Sequence, residues 1–220
     1  MKLQYPVNIK RKPKKKLTNT TKSSSTVSFA NELLWAIIGL LLTIFSTFVE
    51  AFVTNMPWTW TEQGVNSMPL GVTFQVGAVL LTGCMGGKNA GFLAQVAYVF
   101  LGLFWYPVFA QGGGLQYWQQ PSFGYILGFM PGAWLCGWLA FQRRTKLEVL
   151  GISAAAGLLI IHGCGLIYLL GLFFLSPANL PSDNLFDLII NYSVEPIPGQ
   201  LVVVCVVAVI AFILRHILFY

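Results

Sequence analysis

Polar residues with the capacity for chemistry are few in this chain, and they stand apart from one another. His162 lies alone in the apolar segment IIHGCGLIYL, and Glu50 lies near the end of another apolar segment. Neither has a second acid, base or nucleophile at a spacing that would form a catalytic set. The segment GGKN at 86–89 lacks the spacing of a phosphate-binding loop. The sequence therefore predicts no catalytic residues and no enzyme activity, and nothing in it could bind or hydrolyse ATP.

Metal and redox chemistry are also disfavoured. The four cysteines all lie inside apolar segments, with no C-x-x-C pair and no Cys/His cluster: Cys84, Cys136, Cys164 and Cys205. Small apolar packing is the usual role of such residues. A lone histidine in a membrane helix is typical of a helix–helix hydrogen bond, and a pocket-lining role for His162 stays open. Glu50 could lie inside the membrane or at its interface. We expect no metal and no cofactor.

Uncharged polar and aromatic residues remain, and they gather at corresponding ends of the apolar segments. They are Thr73, Gln75, Tyr98, Tyr125 and Gln200. Between two apolar segments lies the loop PVFAQGGGLQYWQQPSFGY at 107–125, which combines three consecutive glycines with glutamines and aromatic rings. Aromatic side chains with a few fixed polar groups are typical of a pocket for a small molecule.

The elements that position these residues follow from composition. Of the 220 residues, 56% are hydrophobic and only 9% are charged, and the mean hydropathy is +0.70. A soluble domain has roughly 25% charged residues. We therefore expect an all-α integral membrane protein, since only helices of roughly 20 apolar residues or closed barrels span a bilayer. The apolar segments predict six transmembrane helices in a single membrane domain at 29–220, over about 33–54, 70–86, 90–108, 123–141, 149–175 and 198–219.

The distribution of charge predicts the topology. Most of the 13 Lys and Arg residues lie in a polar tail at 1–28, which we expect to be disordered and cytoplasmic and to lie near anionic lipid rather than nucleic acid. With that tail inside, the other cations also fall on the inner side. These are Lys88, Arg143, Arg144, Lys146 and Arg215. A multi-pass protein of the cell membrane with both termini cytoplasmic satisfies the positive-inside rule.

Three outer loops at 55–69, 109–122 and 176–197 would then cover a site that opens outward. The last contains the amphipathic stretch DNLFDLIINY, which could be an interfacial helix or a lid. Small residues at helical spacing, such as Gly39, Thr43 and Thr47, favour close helix packing within the protein or against a partner.

Several of these segments resemble a known family. The segment MPLGVTFQVGAVLLTGCMGGKNAGFLAQVAYVFLGLFWYPVFAQGGGL, followed by PSFGYILGFMPGAWLCGW, is similar to BioY proteins. These are substrate-binding S components of energy-coupling-factor (ECF) transporters that take up biotin. The pattern P-V-F-x-x-G-G-x-G then G-P-x-x-G-Y is matched by residues 107–125, and I-H-x-x-G by residues 161–165. The resemblance covers roughly residues 65–215.

The resemblance implies a ligand, a set of binding residues and partners. The ligand is biotin, and the partners are a transmembrane T component and two ATPases, although solitary uptake stays open. The implied ligand-binding residues are Thr73, Gln75, Tyr98, Phe109, Gly112, Gly113, Gly114, Tyr125, His162 and Gln200. The chain departs from the family pattern P-G-D-x-x-K in the last span, since Gln200 replaces the acid and Val203 the lysine. It also has Gly113 where relatives often have Asn, and Ile126 where some have Arg.

These departures leave the biotin carboxylate without a cation on the outer side. The amide of Gln200 could pair with the ureido group, because it both donates and accepts. For the carboxylate we expect either an anion-binding nest of the backbone N–H groups of 112–114 or a position at the wet mouth of the site, and prefer the nest. An S component for another vitamin and a non-transporting membrane scaffold stay open as alternatives.

Overall fold

The computed structural model describes residues 29–175 and 184–219 as a helical bundle with a small β-hairpin at one end. The predicted disordered tail at 1–28 and part of the loop at 176–197 lie outside the described residues. The helices are α1 (Phe29–Thr47), α2 (Trp60–Gln63), α3 (Gln75–Phe104), α4 (Phe123–Ala140), α5 (Leu147–Leu175), α6 (Leu185–Ile189) and α7 (Pro196–Phe219). The strands are β1 (Glu50–Thr54) and β2 (Ser67–Thr73).

Helix α3 is two antiparallel limbs rather than one rod. Gly87 has φ 80° and ψ −176°, which is outside helical geometry and open to glycine because it has no Cβ. The chain reverses there, since a Cβ built on Gly91 would lie 3.2 Å from the Cα of Gly83. Gln75 and Tyr98, from opposite ends of α3, are also hydrogen-bonded. The two limbs correspond to the predicted second and third spans.

Four helical segments of the described chain are long and apolar enough to cross a membrane. They are Phe29–Thr47, Phe123–Ala140, Leu147–Leu175 and Leu185–Leu218. The first limb of α3, over 75–86, is shorter than the roughly 20 apolar residues that span a bilayer, and β2 leads into it. A mostly helical membrane fold is therefore confirmed. The number of spans stays a prediction.

The expectation of an all-α chain is corrected by the hairpin. The predicted first span ran to residue 54, but α1 ends at Thr47 and Glu50–Thr54 pairs antiparallel with β2. Asn55 fixes the connection: its Oδ1 accepts from the N–H of Asn66 (3.0 Å), and its Nδ2 donates to the Gly64 carbonyl (3.0 Å). Hydropathy did not reveal these strands, because β1 closely follows the apolar helix α1 and β2 closely precedes the apolar helix α3. Glu50 is exposed at the start of β1.

Small residues bring the helices together inside the molecule. Ala36, Gly39, Thr43 and Thr47 are the buried face of α1, and a Cβ on Gly39 would meet Thr82 of α3 at 2.2 Å. Ala90 and Ala94 of α3 are also fully buried. Helix α4 packs between α3 and α5, and α7 closes the bundle against α3 and α5.

Arg215 occupies the opposite end of the bundle from the hairpin, and it is buried rather than exposed. Its Nε and Nη2 donate to the carbonyl of Cys84, with the Nε bond at 2.9 Å, and its Nη1 donates to the carbonyl of Ala140 at 2.9 Å. Both carbonyls belong to the last turns of helices, which carry partial negative charge. The guanidinium also lies over the ring of Phe141, 4.1 Å from its centroid.

Candidate functional site

A cavity of about 220 Å³ lies at the hairpin end of the bundle. Strand β2, the N-terminal ends of α3, α4 and α7, and the turn that follows α6 converge around it. Its polar and aromatic lining residues are Thr73, Gln75, Tyr117, Ser122, Tyr125, Phe129, Asn191, Tyr192 and Gln200. The size lies just below the roughly 300–1,000 Å³ typical of small-molecule pockets, so a compact ligand would fill it.

Gln75 is held on the cavity wall by Tyr98. The Tyr98 hydroxyl donates to the carbonyl of Val108 (3.1 Å), so its oxygen accepts from Nε2 of Gln75 (2.9 Å). Tyr98 is fully buried, with its ring edge-on to Phe109 at 5.3 Å. Because its nitrogen is turned toward Tyr98, Gln75 presents its Oε1 to the cavity as a hydrogen-bond acceptor.

Gln200, which also lines the cavity, belongs to a buried polar network. Its Oε1 lies 2.6 Å from Nε2 of His162, and Nδ1 of that ring lies 3.4 Å from Oγ of Ser193. Ser193 is in turn 2.6 Å from the hydroxyl of Tyr125, whose ring packs edge-on to His162 at 5.6 Å. The network connects α4, α5, α7 and the π-helical turn at 190–194.

Aromatic residues form the remaining wall. Tyr192 stacks on Tyr125 with ring centroids 6.4 Å apart, and Tyr117 contacts Ser122 through its hydroxyl at 3.3 Å. Burial raises the pKa of the Tyr117 hydroxyl above the ordinary value. This hydroxyl therefore stays neutral near pH 7 and can donate a hydrogen bond. None of the described residues that line this cavity is charged.

The structure brings only part of the predicted site onto the cavity wall. Thr73, Gln75, Tyr125 and Gln200 line the cavity. Tyr98 and His162 lie behind the wall, where each holds a glutamine that lines it. The histidine therefore makes a helix–helix hydrogen bond, as its position in an apolar segment predicted. Phe109 is buried in an aromatic cluster whose other members are Tyr98, Tyr117 and Phe123.

The predicted anion nest at 112–114 is corrected by the backbone hydrogen bonds of the loop. The N–H of Gly112 donates to the carbonyl of Phe109 (3.0 Å), and the N–H of Gly114 donates to the carbonyl of Gly102 (2.8 Å). Gly112, Gly113 and Gly114 are also not among the residues that line the cavity. Two of the three amides are thus committed to the loop itself, so the glycines shape the loop and do not form an open nest.

The sequence missed the contribution of the segment before α7. Ser193, Asn191 and Tyr192 lie on the π-helical turn, where they complete the cavity wall and the network behind it. The amphipathic stretch at 183–192 could have indicated this contribution, but its interpretation as an interfacial helix or a lid predicted no residue of the cavity wall. In the structure Leu188 is buried while Phe186 is 72% exposed, so the segment packs one face onto the bundle and presents the other outward.

Comparison with known proteins identifies the family. The model of the BioY family matches residues 18–219. The chain belongs to the BioY family. Relatives in this family are named as transporters, so the chain is a membrane transport protein and not an enzyme.

Individual relatives agree with the family match. The chain is 30% identical to an uncharacterized 21.2 kDa protein of Cyanophora paradoxa over 84% of this chain and 95% of that protein. It is 41% identical to the biotin transporter BioY of Thermotoga maritima over 50% of this chain and 63% of that protein. The crystal structure of the S-component for biotin from an ECF-type ABC transporter superposes with a TM-score of 0.63 at 21% identity, covering 85% of this chain and 92% of that one. The shared fold is thus an S-component fold.

Proposed function

We propose that this protein is the biotin-binding S component of an ECF transporter, which captures biotin at the hairpin end of the bundle. BioY relatives named as biotin transporters and the fold of the biotin S component support this proposal. Biotin presents a cyclic urea with two N–H donors and one carbonyl acceptor, joined to an apolar thioether ring.

The observation that carries the proposal is the pair of glutamine amides on the cavity wall. Gln75 and Gln200 line the same small, uncharged cavity, and each is fixed from behind by a buried aromatic or imidazole side chain. Such amides can satisfy the donors and the acceptor of a cyclic urea without a charged residue. Phe129 and Ile126 supply apolar surface for the thioether ring.

A titration of the purified protein in detergent tests this function. We expect one biotin to bind per chain, and we expect Gln75→Leu and Gln200→Leu each to weaken binding roughly tenfold or more. Gly163→Ala is a matched control, since a Cβ there meets no atom within 4 Å. If a calorimetric titration of monodisperse protein with biotin shows no heat of binding, the proposal is refuted.

We infer a topology of six membrane spans with both termini cytoplasmic. The support is the separation of charge, since Lys88, Arg143, Arg144 and Lys146 all lie at the end opposite the cavity. A membrane-impermeant maleimide can test this in intact cells carrying Cys205→Ser. We expect Trp118→Cys to be labelled and Arg144→Cys to be labelled only after permeabilisation. The reverse pattern would overturn the topology.

The partners we propose are a T component and two ATPases. The S-component fold supports this division of labour, because S components deliver ligand to a separate energy-coupling module. Biotin uptake by cells that express the chain alone, compared with cells that also express such a module, tests the dependence. Full uptake by the chain alone in cells lacking any such module would instead show solitary transport.

A different vitamin is the second candidate ligand, and one observation favours it. Gln200 and Val203 stand where many family members have an acid and a lysine, and no charged residue lines the described cavity. A panel of vitamins in the same titration decides between the two ligands. Tighter binding of another vitamin than of biotin would favour this alternative.

A further inference from the structure

A chain of hydrogen bonds joins two residues of the cavity wall, Gln200 and Tyr125. Gln200 and Tyr125 line the cavity, whereas His162 and Ser193 lie behind it and are 6% and 3% exposed. Each member of the chain contacts the next within hydrogen-bonding distance. The donor and acceptor roles at the two wall residues are therefore coupled through the imidazole ring.

The chemistry of the atoms fixes the direction of the chain. An amide oxygen can only accept, so the proton of the His162 ring lies on Nε2 and points to Oε1 of Gln200. Nδ1 is then an acceptor, and the hydroxyl of Ser193 donates to it. With its proton committed, Ser193 accepts from the hydroxyl of Tyr125 at 2.6 Å.

We propose that His162 is a positioning residue that selects which hydrogen-bonding groups the ligand meets. In the Nε2–H form it turns the amide nitrogen of Gln200 and the oxygen lone pairs of Tyr125 toward the cavity. The opposite tautomer would present the Gln200 oxygen and the Tyr125 proton instead. The site is thereby selective for a ligand with an acceptor beside Gln200 and a donor beside Tyr125. This assignment rests on the proposed function, because a cyclic urea carries both groups.

The two glutamines then have complementary roles. Tyr98 holds the nitrogen of Gln75, so that Gln75 offers an acceptor, while His162 holds the oxygen of Gln200, so that Gln200 offers donors. A urea carbonyl directed at Gln200 and a urea N–H directed at Gln75 or Tyr125 satisfy this arrangement. A ligand group that offers only donors would place an N–H against the N–H of the Gln200 amide and could not form a hydrogen bond with it.

The tautomer can be measured without any ligand. The chain has two histidines, so His216→Gln in the full-length protein leaves one imidazole for nitrogen-15 NMR in detergent. We expect a protonated Nε2 and an unprotonated, hydrogen-bonded Nδ1 at neutral pH. A protonated Nδ1, or rapid exchange between the two forms, would overturn the proposal.

Ligand discrimination provides the second test. In 2-iminobiotin at neutral pH, an N–H₂ donor replaces the urea oxygen, and we expect the wild-type protein to prefer biotin at least about 100-fold. His162→Leu frees the Gln200 amide to rotate, so we expect that preference to fall below about tenfold. The neighbouring Gly163→Ala should retain it, because a Cβ there meets no atom within 4 Å. An unchanged preference in His162→Leu would overturn the role of His162.

Ser193→Ala is used if His162→Leu does not fold. It removes the hydroxyl that donates to Nδ1, so the same fall in preference is expected, and an unchanged preference counts against the proposal.

The two tests also separate this inference from the proposed function. If biotin does not bind at all, the NMR result still decides the tautomer. If biotin binds and the preference is insensitive to these substitutions, the function stands and the positioning role fails.

Discussion

Individual side chains behind the cavity wall determine what the wall offers to a ligand. Tyr98 is not among the residues that line the cavity, yet its hydroxyl oxygen accepts a hydrogen bond from Nε2 of Gln75 and so determines how the Gln75 amide is oriented. Polar groups that line a buried pocket discriminate between ligands only when their orientation is fixed. The residues behind the wall are therefore as important for selectivity as those on it.

Tyr98→Phe tests this at a single atom. The ring and its packing against Phe109 are retained, while Gln75 loses its partner and can rotate. We expect the dissociation constant for biotin to rise about tenfold, and the melting temperature to fall as well, because the Val108 carbonyl loses its buried donor. Tyr106→Phe, at a tyrosine that is 60% exposed, should leave both unchanged. An unaltered affinity in Tyr98→Phe would show that Gln75 does not depend on this hydroxyl.

The ligand carboxylate gives a second prediction at this scale. Since none of the described lining residues is charged, a buried carboxylate would lack a partner and would cost several kcal/mol, so we expect it to remain hydrated at the mouth. Biotin amide should then bind within about threefold of biotin. A loss greater than about tenfold would show that the protein does recognise the negative charge.

Residue types alone pointed to Gln75, Tyr125 and Gln200 of the cavity wall, because uncharged polar residues are conspicuous in apolar helices, but they missed Tyr117 and Tyr192. They could not predict which residues line the cavity and which lie behind it. The glycines at 112–114 illustrate the limit: a run of N–H groups suggested a nest, but whether those groups are free depends on carbonyls elsewhere, such as that of Gly102.

At the scale of elements, the glycine-rich loop is fitted closely onto the end of α3. A Cβ on Gly113 would lie 2.6 Å from the carbonyl oxygen of Gly102 and 2.7 Å from the Cα of Pro107. Both are backbone atoms, which cannot move aside as a side chain can. The loop therefore acts as a packed support for the aromatic wall, which includes Tyr117.

Gly113→Ala is expected to destabilise the protein by about 1–3 kcal/mol, because backbone must shift to relieve the overlap. Gly163→Ala, which adds a methyl group where no atom lies within 4 Å, should be neutral or slightly stabilising. Thermal unfolding in detergent measures both. Equal melting temperatures for the two variants would contradict the packing argument.

Hydropathy predicted the helices of the bundle well, since each long apolar segment has a helical counterpart. It could not predict the hairpin, because Glu50–Thr54 and Ser67–Thr73 adjoin apolar helices and are short. Their pairing depends on Asn55, whose side chain bonds across the turn, and on contacts between residues distant in sequence. The gap at 87–89 between the predicted second and third spans implied a turn, but it did not show that the chain reverses at the single residue Gly87.

At the scale of the whole molecule, Arg215 joins three helices at the end opposite the cavity. Counting charges assigned it to the inner side of the membrane, but its burial between α3, α4 and α7 depends on tertiary structure. Its fork geometry matches two helix-end carbonyls at once, which a lysine cannot do.

We therefore expect melting temperature to decrease in the order wild type, Arg215→Lys, Arg215→Met. Hydrogen bonds from charged groups contribute about 1.5–3 kcal/mol each, and Lys restores only part of them. The exposed Arg144→Met is the control and should unfold like the wild type. If Arg215→Met were as stable as that control, apolar packing alone would hold together the ends of these helices that lie opposite the cavity.

Val203 has a consequence for how the sequence of this site can change. It is 1% exposed, and its Cγ1 lies 2.7 Å from where a Cβ on Gly77 would be, one helical turn beyond Gln200. A lysine introduced there alone would be a buried cation against a helix backbone, and no acid is among the described residues that line the cavity. An acid in place of Gln200 would instead lie beside the His162 ring, whose Nε2 is 2.6 Å from the present Oε1 and can donate to it. A charged pair at 200 and 203 is therefore reached more readily by changing Gln200 first than by changing Val203 first.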